Sequence, residues 1–138
     1  MSKPKSSILS NQAQHEILGN YRHETRRWQS EIDFWKVEGL FFKRLLEIYA
    51  LKIADADDRL TFSSFEEKLK QFTEKLMDNL KKEIHLHEEY LTEVMDKKAF
   101  SEEYTYKLRH EKLAKSTAAL KKEFVVFKEK LYKFTDTL

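Results

Sequence analysis

The chain has 138 residues, a net charge of +2, no cysteine, two glycines and one proline; 41% of its residues are hydrophobic and 36% charged. That length suits one domain with a core of its own, and the lack of cysteine excludes disulfides, thiol nucleophiles and thiolate metal sites. So few turn-forming residues, in a composition rich in Leu, Glu and Lys, predict an all-α protein.

Residues 1–10 are polar, carry the one proline and show no period, so a loose tail is expected ahead of a single domain over 11–138. The start, MSKPKSSILSNQ, lacks the apolar stretch of a secretory signal, and no window offers the roughly 20 apolar residues of a membrane span. The expected location is the cytoplasm.

The first helix is predicted over about 13–54, with Ser10 or Asn11 as its cap. Steps of three and four from Leu18 give Tyr21, Thr25, Trp28, Ile32, Trp35, Gly39, Phe42, Leu46, Tyr49 and Ile53. Five heptads with an aromatic at every d position describe a long coiled-coil-like helix. Gly19-Asn20 is a candidate bend. Asp55-Ala56-Asp57-Asp58 ends the pattern, and Thr61, Ser63 or Ser64 is expected to cap a second helix over about 62–98. Its seam reads Phe65, Leu69, Phe72, Leu76, Leu80, Ile84, His87, Leu91 and Val94, with a stutter in the middle. Ser101 is expected to cap a third helix over about 101–136, whose seam runs from Tyr106 through His110, Leu113, Thr117, Leu120, Phe124, Phe127 and Leu131 to Phe134.

Short connections predict antiparallel neighbours, hence an up-down-up three-helix bundle. The outer helices then lie parallel, each first-helix position level with the residue 85 later. This puts Gly39 opposite Phe124 and Phe42 opposite Phe127, and pairs Glu31 with Lys121 and Glu38 with Lys128 across the seam.

Chemistry-bearing patterns are sparse. His87 and His110 occupy seam positions near one end, in adjoining layers with Thr25 and Trp28, and form the candidate metal or ligand site; the competing expectation is a polar layer that fixes register, its imidazoles bonded to Thr25, Trp28, Tyr90 or Glu111. No histidine has a Glu three residues before it, as di-iron bundles require, and there is no His-Glu-x-x-His. Two glycines within helical pattern cannot make a phosphate loop. No catalytic residue and no cofactor is expected, so the protein reads as a non-enzyme. From Lys107 onward the chain has nine basic and four acidic residues, a possible contact for nucleic acid or an anionic surface; the alternative is a solvated face that pairs with acidic neighbours.

The most informative excess lies on the first helix. Phe34, Phe41 and Ile48 recur every seven residues outside the seam, with Val37 and Leu45 beside them. These five are the candidate interface, for a homodimer or another helical protein. The alternative is that the other helices wrap around them.

The segment Trp28-Gln-Ser-Glu31-Ile32-Asp-Phe34-Trp35, followed by Phe41-Phe42, resembles a W-x-x-E-[IL]-x-F-W segment of small uncharacterised bacterial helical-bundle proteins, and the arrangement is similar to a spectrin repeat in architecture. The resemblance implies a helical bundle and brings no activity, cofactor or catalytic residue. The expected function is protein–protein association.

Overall fold

The computed structural model describes residues 9–138. The elements are α1 (Asn11–Ala50), α2 (Ala56–Gln71), a π-helical turn (Phe72–Leu76), α3 (Met77–Lys97), a 3-10 turn (Phe100–Glu102) and α4 (Glu103–Asp136). The chain is all-α, and because α2, the π turn and α3 follow without a gap it forms three rods. None of the described helices is long and apolar enough to cross a membrane.

The tail expected over 1–10 lies outside the described residues except for its last two. Those two are held. Ser10 Oγ caps α1 by accepting from Ala13 N–H at 3.1 Å, and Leu9 N–H donates to Glu103 Oε1 at 3.1 Å. Gly19-Asn20 makes no break, since α1 runs on to Ala50.

Both connections differ from the expected ones. α1 stops at Ala50 rather than near 54, and Leu51-Lys52 forms a turn that still folds Ile53 into the core. The acidic cluster starts the second rod instead of separating two. Asp55 is the cap, its side chain accepting from Asp57 N–H at 2.8 Å, and Asp57 and Asp58 sit in the first turn, where the positive end of the helix dipole favours them. Thr61, expected as a cap, lies inside the helix and donates to Asp57 O. At the other end Lys98 takes a left-handed conformation (φ 51°); its N–H reaches Met95 O and Ala99 N–H reaches Val94 O, which closes α3 in a Schellman motif. Ser101 is in the 3-10 turn and caps nothing; α4 begins after Glu102.

The middle rod carries the largest correction. Its seam does not pass through Leu76, which is half-exposed, but through Met77, which is fully buried. Buried positions run Phe62, Leu69 and Phe72, then Met77, Leu80, Ile84, His87, Leu91 and Val94. Heptad spacing is regular on each side of one extra residue, and the π turn absorbs that residue so that both halves face the same way. Thr73 lies in this turn, its hydroxyl donating to Leu69 O.

Contacts fix how the rods lie. Arg22 reaches Met95, Arg26 pairs with Glu88, Lys36 with Asp78, and Gly39 lies against Thr73, so partners of α1 fall in number along the middle rod. Against α4 they rise: Tyr21 meets Tyr106, Trp28 meets His110, Phe42 meets Phe124, and Glu38 pairs with Lys128. Phe42 thus meets Phe124, one turn before the expected Phe127. Gly39 does not make room for Phe124: a Cβ built on it would lie 2.5 Å from Thr73 Cγ2 and 3.9 Å from Leu69 Cδ1. α1 accordingly runs closest to the middle rod, with large rings filling the wider space toward α4.

The core divides in two. The larger cluster runs from Trp28, Ile84 and Leu120 to Ile53, Phe62 and Leu131; the smaller holds Leu18, Leu91, Val94 and Tyr106. Between them lies a buried polar level made of Thr25, His87 and His110.

Candidate functional site

Two places combine unusual chemistry with a defined position. The first is the outer face of α1. Phe34, Val37, Phe41 and Ile48 are each 56–62% exposed, and Leu40 and Leu51 are exposed as well. Leu45 differs from the other four expected interface residues, being partly buried against the larger core. The spacing explains both facts. Positions 34, 37, 41, 44, 48 and 51 alternate steps of three and four, a second seam turned away from the one that holds the fold, with Arg44 its one charge. Leu45 lies between the two seams and reaches the inner one.

α4 extends this face. Tyr132, half-exposed, sets its ring 5.6 Å from Phe42, which in turn is 5.5 Å from Phe41. Val125, one heptad earlier, is also exposed. The Glu38–Lys128 pair crosses the α1–α4 boundary at 3.1 Å, as the spacing predicts. Glu31 instead pairs with Arg27 on its own helix, because the reach to Lys121 is replaced by a partner one turn away.

The second place is the polar level. His87 Nε2 and His110 Nδ1 are 3.1 Å apart, and His110 Nε2 lies 3.0 Å from Glu24 Oε1. Both imidazoles are buried, while the Glu24 side chain reaches solvent at 41% exposure. The His110 ring stacks on Tyr21, with centroids 3.6 Å apart, and on Trp28 at 4.8 Å. Thr25, expected to bond an imidazole, donates to Arg22 O at 2.8 Å and toward Glu88 Oε2 at 3.4 Å.

The carboxylate fixes the protons. Glu24 only accepts, so His110 carries its proton on Nε2 and offers a lone pair at Nδ1; His87 Nε2–H donates to it. His87 Nδ1 is left with its lone pair, and the ring lines an open groove with Glu83, Leu86, Arg109, Lys112, Leu113 and Ser116. Burial, His110 and Arg109 hold His87 down to about 4; burial also lowers His110, opposed by Glu24 and Glu111.

This geometry does not gather a metal-binding set. The three side chains form a line, with Glu24 and His87 on opposite edges of the His110 ring, so they cannot share an ion. Among the described residues no group of three His, Asp or Glu side chains is placed to hold a metal. The spacing puts His87 and His110 in adjoining layers, and the structure brings their rings into contact. The spacing does not show Glu24, which lies off the seam; a carboxylate one turn before Trp28 was the available signal.

The basic stretch of α4 is partly occupied. Lys107 pairs with Glu103 at 2.8 Å and Lys128 with Glu38. Lys122 and Lys130 border an open groove with Lys68, above Phe65, Phe72 and Phe127. Compared with protein-family models, with curated proteins and with solved structures, the chain matches none.

Proposed function

We propose that the chain is a non-enzymatic association module: an up-down-up antiparallel three-helix bundle with coiled-coil-like packing that pairs with a second copy through the outer face of α1. The observation that carries this reading is the exposed stripe of Phe34, Val37, Phe41, Ile48 and Leu51 in helical register. Isolated exposed apolar residues are ordinary, but a continuous stripe of this kind marks a contact surface.

A second copy fits the stripe by charge and by area. In an antiparallel pairing Phe34 meets Leu51, Val37 meets Ile48, and Phe41 meets Arg44 of the other chain. Arg44, the one cation in the stripe, then lies over the Phe41 ring and beside Glu38, where ring and carboxylate both favour it. Lys52 falls opposite Glu31. From typical side-chain sizes the stripe offers on the order of 600 Å² per copy, close to the roughly 800 Å² per partner of stable complexes. Tyr132 and Val125 widen it.

The experiment is sedimentation equilibrium on the full chain and on Phe41→Glu. Dimeric wild type and a monomeric variant with unchanged helical circular dichroism support the reading. Wild type that stays monomeric at high micromolar concentration overturns it, and so does a Phe41→Glu variant that remains dimeric. The basic face of α4 supports binding to nucleic acid less well, since Lys107 and Lys128 already have carboxylate partners.

A further inference from the structure

The polar level is placed where it can act on the fold. On one side lies the large core cluster, on the other the small one of Leu18, Leu91, Val94 and Tyr106. The two apolar clusters do not merge across the level; the His110 ring, stacked on Tyr21 and on Trp28, bridges them. Beside the α1–α3 bonds of Thr25 and Arg26 to Glu88, one hydrogen-bonded line there takes a member from each rod: Glu24 from α1, His110 from α4, His87 from α3. We propose that this line is a proton-sensitive latch, holding the small cluster closed while both imidazoles are neutral and releasing that end, with the large core intact, as the imidazoles take up protons.

An added proton puts a charge on a buried ring wherever it sits. On His110 Nδ1 it keeps the line only if His87 shifts its own proton to Nδ1, which leaves an imidazolium buried against Tyr21 and Trp28; a second proton then sets two N–H groups face to face across 3.1 Å and breaks the line. On His87 Nδ1 it keeps the line but puts a buried cation near Arg109. The charged and titratable neighbours come from all three rods. α1 supplies Tyr21, Arg22 and Glu24; α3 supplies Glu83, Glu88 and Tyr90; α4 supplies Arg109, Glu111 and Lys112. Of these, Glu24 and Glu111 favour a charged His110. Glu88 is engaged by Arg26 and Thr25 on the α1 side, and Arg109 lies over the Tyr90 ring at 4.2 Å.

The direction of the pH effect follows. Folded His87, near 4, and folded His110, also lowered, bind protons less readily than the open chain does at about 6.5. The latch is therefore at full strength above about 6.5 and weakens as pH falls from there toward about 4.

The small cluster has four buried apolar side chains against sixteen in the large one. Buried polar groups complete it, Tyr106 Oη donating to Gln14 Oε1 at 2.8 Å. An end held this way opens locally at less cost than the large core.

Amide hydrogen exchange on the full chain at pH 7.5 and pH 5.5, corrected for the intrinsic pH dependence of exchange, tests the proposal. The expected result is an opening of residues 14–22, 88–97 and 103–110 that grows by about tenfold per pH unit for each proton taken up. Residues 32–46 and 120–131 keep their protection. Glu24→Gln, a partly exposed substitution that leaves both cores intact, removes the charge that helps His110 tolerate a proton, so it deepens the loss at pH 5.5. Imidazole nitrogen shifts supply a second readout, with both rings neutral and in the stated tautomers at pH 7. Equal protection at the two pH values overturns the latch. So does a parallel loss in both clusters, a Glu24→Gln profile identical to wild type, or rings that titrate independently at the ordinary histidine value.

Discussion

Gly39 on α1 lies so close to Thr73 in the π turn that a Cβ on the glycine would sit 2.5 Å from Thr73 Cγ2. Thr73 cannot easily give way, because its β-branched side chain is stiff and its hydroxyl is bonded to Leu69 O at 3.1 Å. In an open helix, Gly→Ala gains about 1 kcal/mol of helix propensity. Here the clash outweighs that gain, and Gly39→Ala is expected to destabilise the protein by about 1–3 kcal/mol, as overpacked sites do. Thr73→Ser removes the offending methyl. In that background Gly39→Ala should become neutral or stabilising, and denaturant unfolding of the four chains of the cycle measures the coupling.

The π turn itself makes a sharper prediction. It exists because one residue too many stands between two regular heptad runs, Phe62 to Phe72 and Met77 to Val94. Deleting Leu76, which is half-exposed, brings the two runs into phase within an uninterrupted α-helix. The fold is expected to survive with a cooperative transition. Deleting Leu86, an exposed residue inside the regular part of α3, turns everything beyond it by about 100°. That swings His87, Leu91 and Val94 out of the core or breaks the rod. Thermal unfolding followed by circular dichroism separates the two: a sharp transition for the first deletion, a broad or absent one for the second.

These two sites show where the sequence is readable and where it is not. The α1 seam is legible because spacing alone carries the phase of a straight rod: Leu18, Thr25, Trp28, Ile32, Trp35, Gly39, Phe42 and Leu46 are all buried. The middle rod misleads because Leu76 and Met77 are both apolar. A step of four chooses Leu76, and only the extra backbone residue in the π turn selects Met77. Caps are ambiguous for a similar reason. Asp55, Thr61, Ser63 and Ser64 all have side chains that can cap, and Asp55 prevails with Asp57 and Asp58 in the dipole-favoured first turn. That His87 and His110 lie near one end in neighbouring layers is legible, and so is the Glu38–Lys128 pair. What a missing side chain faces, or which carboxylate reaches a buried ring, depends on how far apart the rods stand.

Lys98 is a plain case for stabilisation. It ends α3 in the left-handed region at φ 51°, where a side chain is costly, and it is exposed. Glycine is favoured at this position of the Schellman motif because it has no Cβ to clash. Lys98→Gly keeps both closing bonds, Lys98 N–H to Met95 O and Ala99 N–H to Val94 O. It is expected to raise stability by about 0.5–1 kcal/mol, seen as a higher denaturant midpoint with an unchanged slope.

Tyr106 tests how the small end is held. Its ring is fully buried, its hydroxyl donates to Gln14 Oε1 at 2.8 Å, and Gln14 in turn donates through Nε2 to Leu9 O at 3.2 Å. Tyr106→Phe keeps the ring and its edge-on contact with Tyr21, at 6.3 Å, but strands a buried amide oxygen. The cost of an unmet buried acceptor is about 1–3 kcal/mol. Because the polar level separates this end from the large core, the loss should appear mainly as faster exchange at amides around Gln14, Leu18 and Leu91. Exchange at Ile32, Phe42 and Leu131 should stay close to wild type. A second substitution, Gln14→Leu, removes the stranded acceptor and is expected to recover part of the protection in the Tyr106→Phe background, since replacing both partners of a buried bond costs less than replacing one.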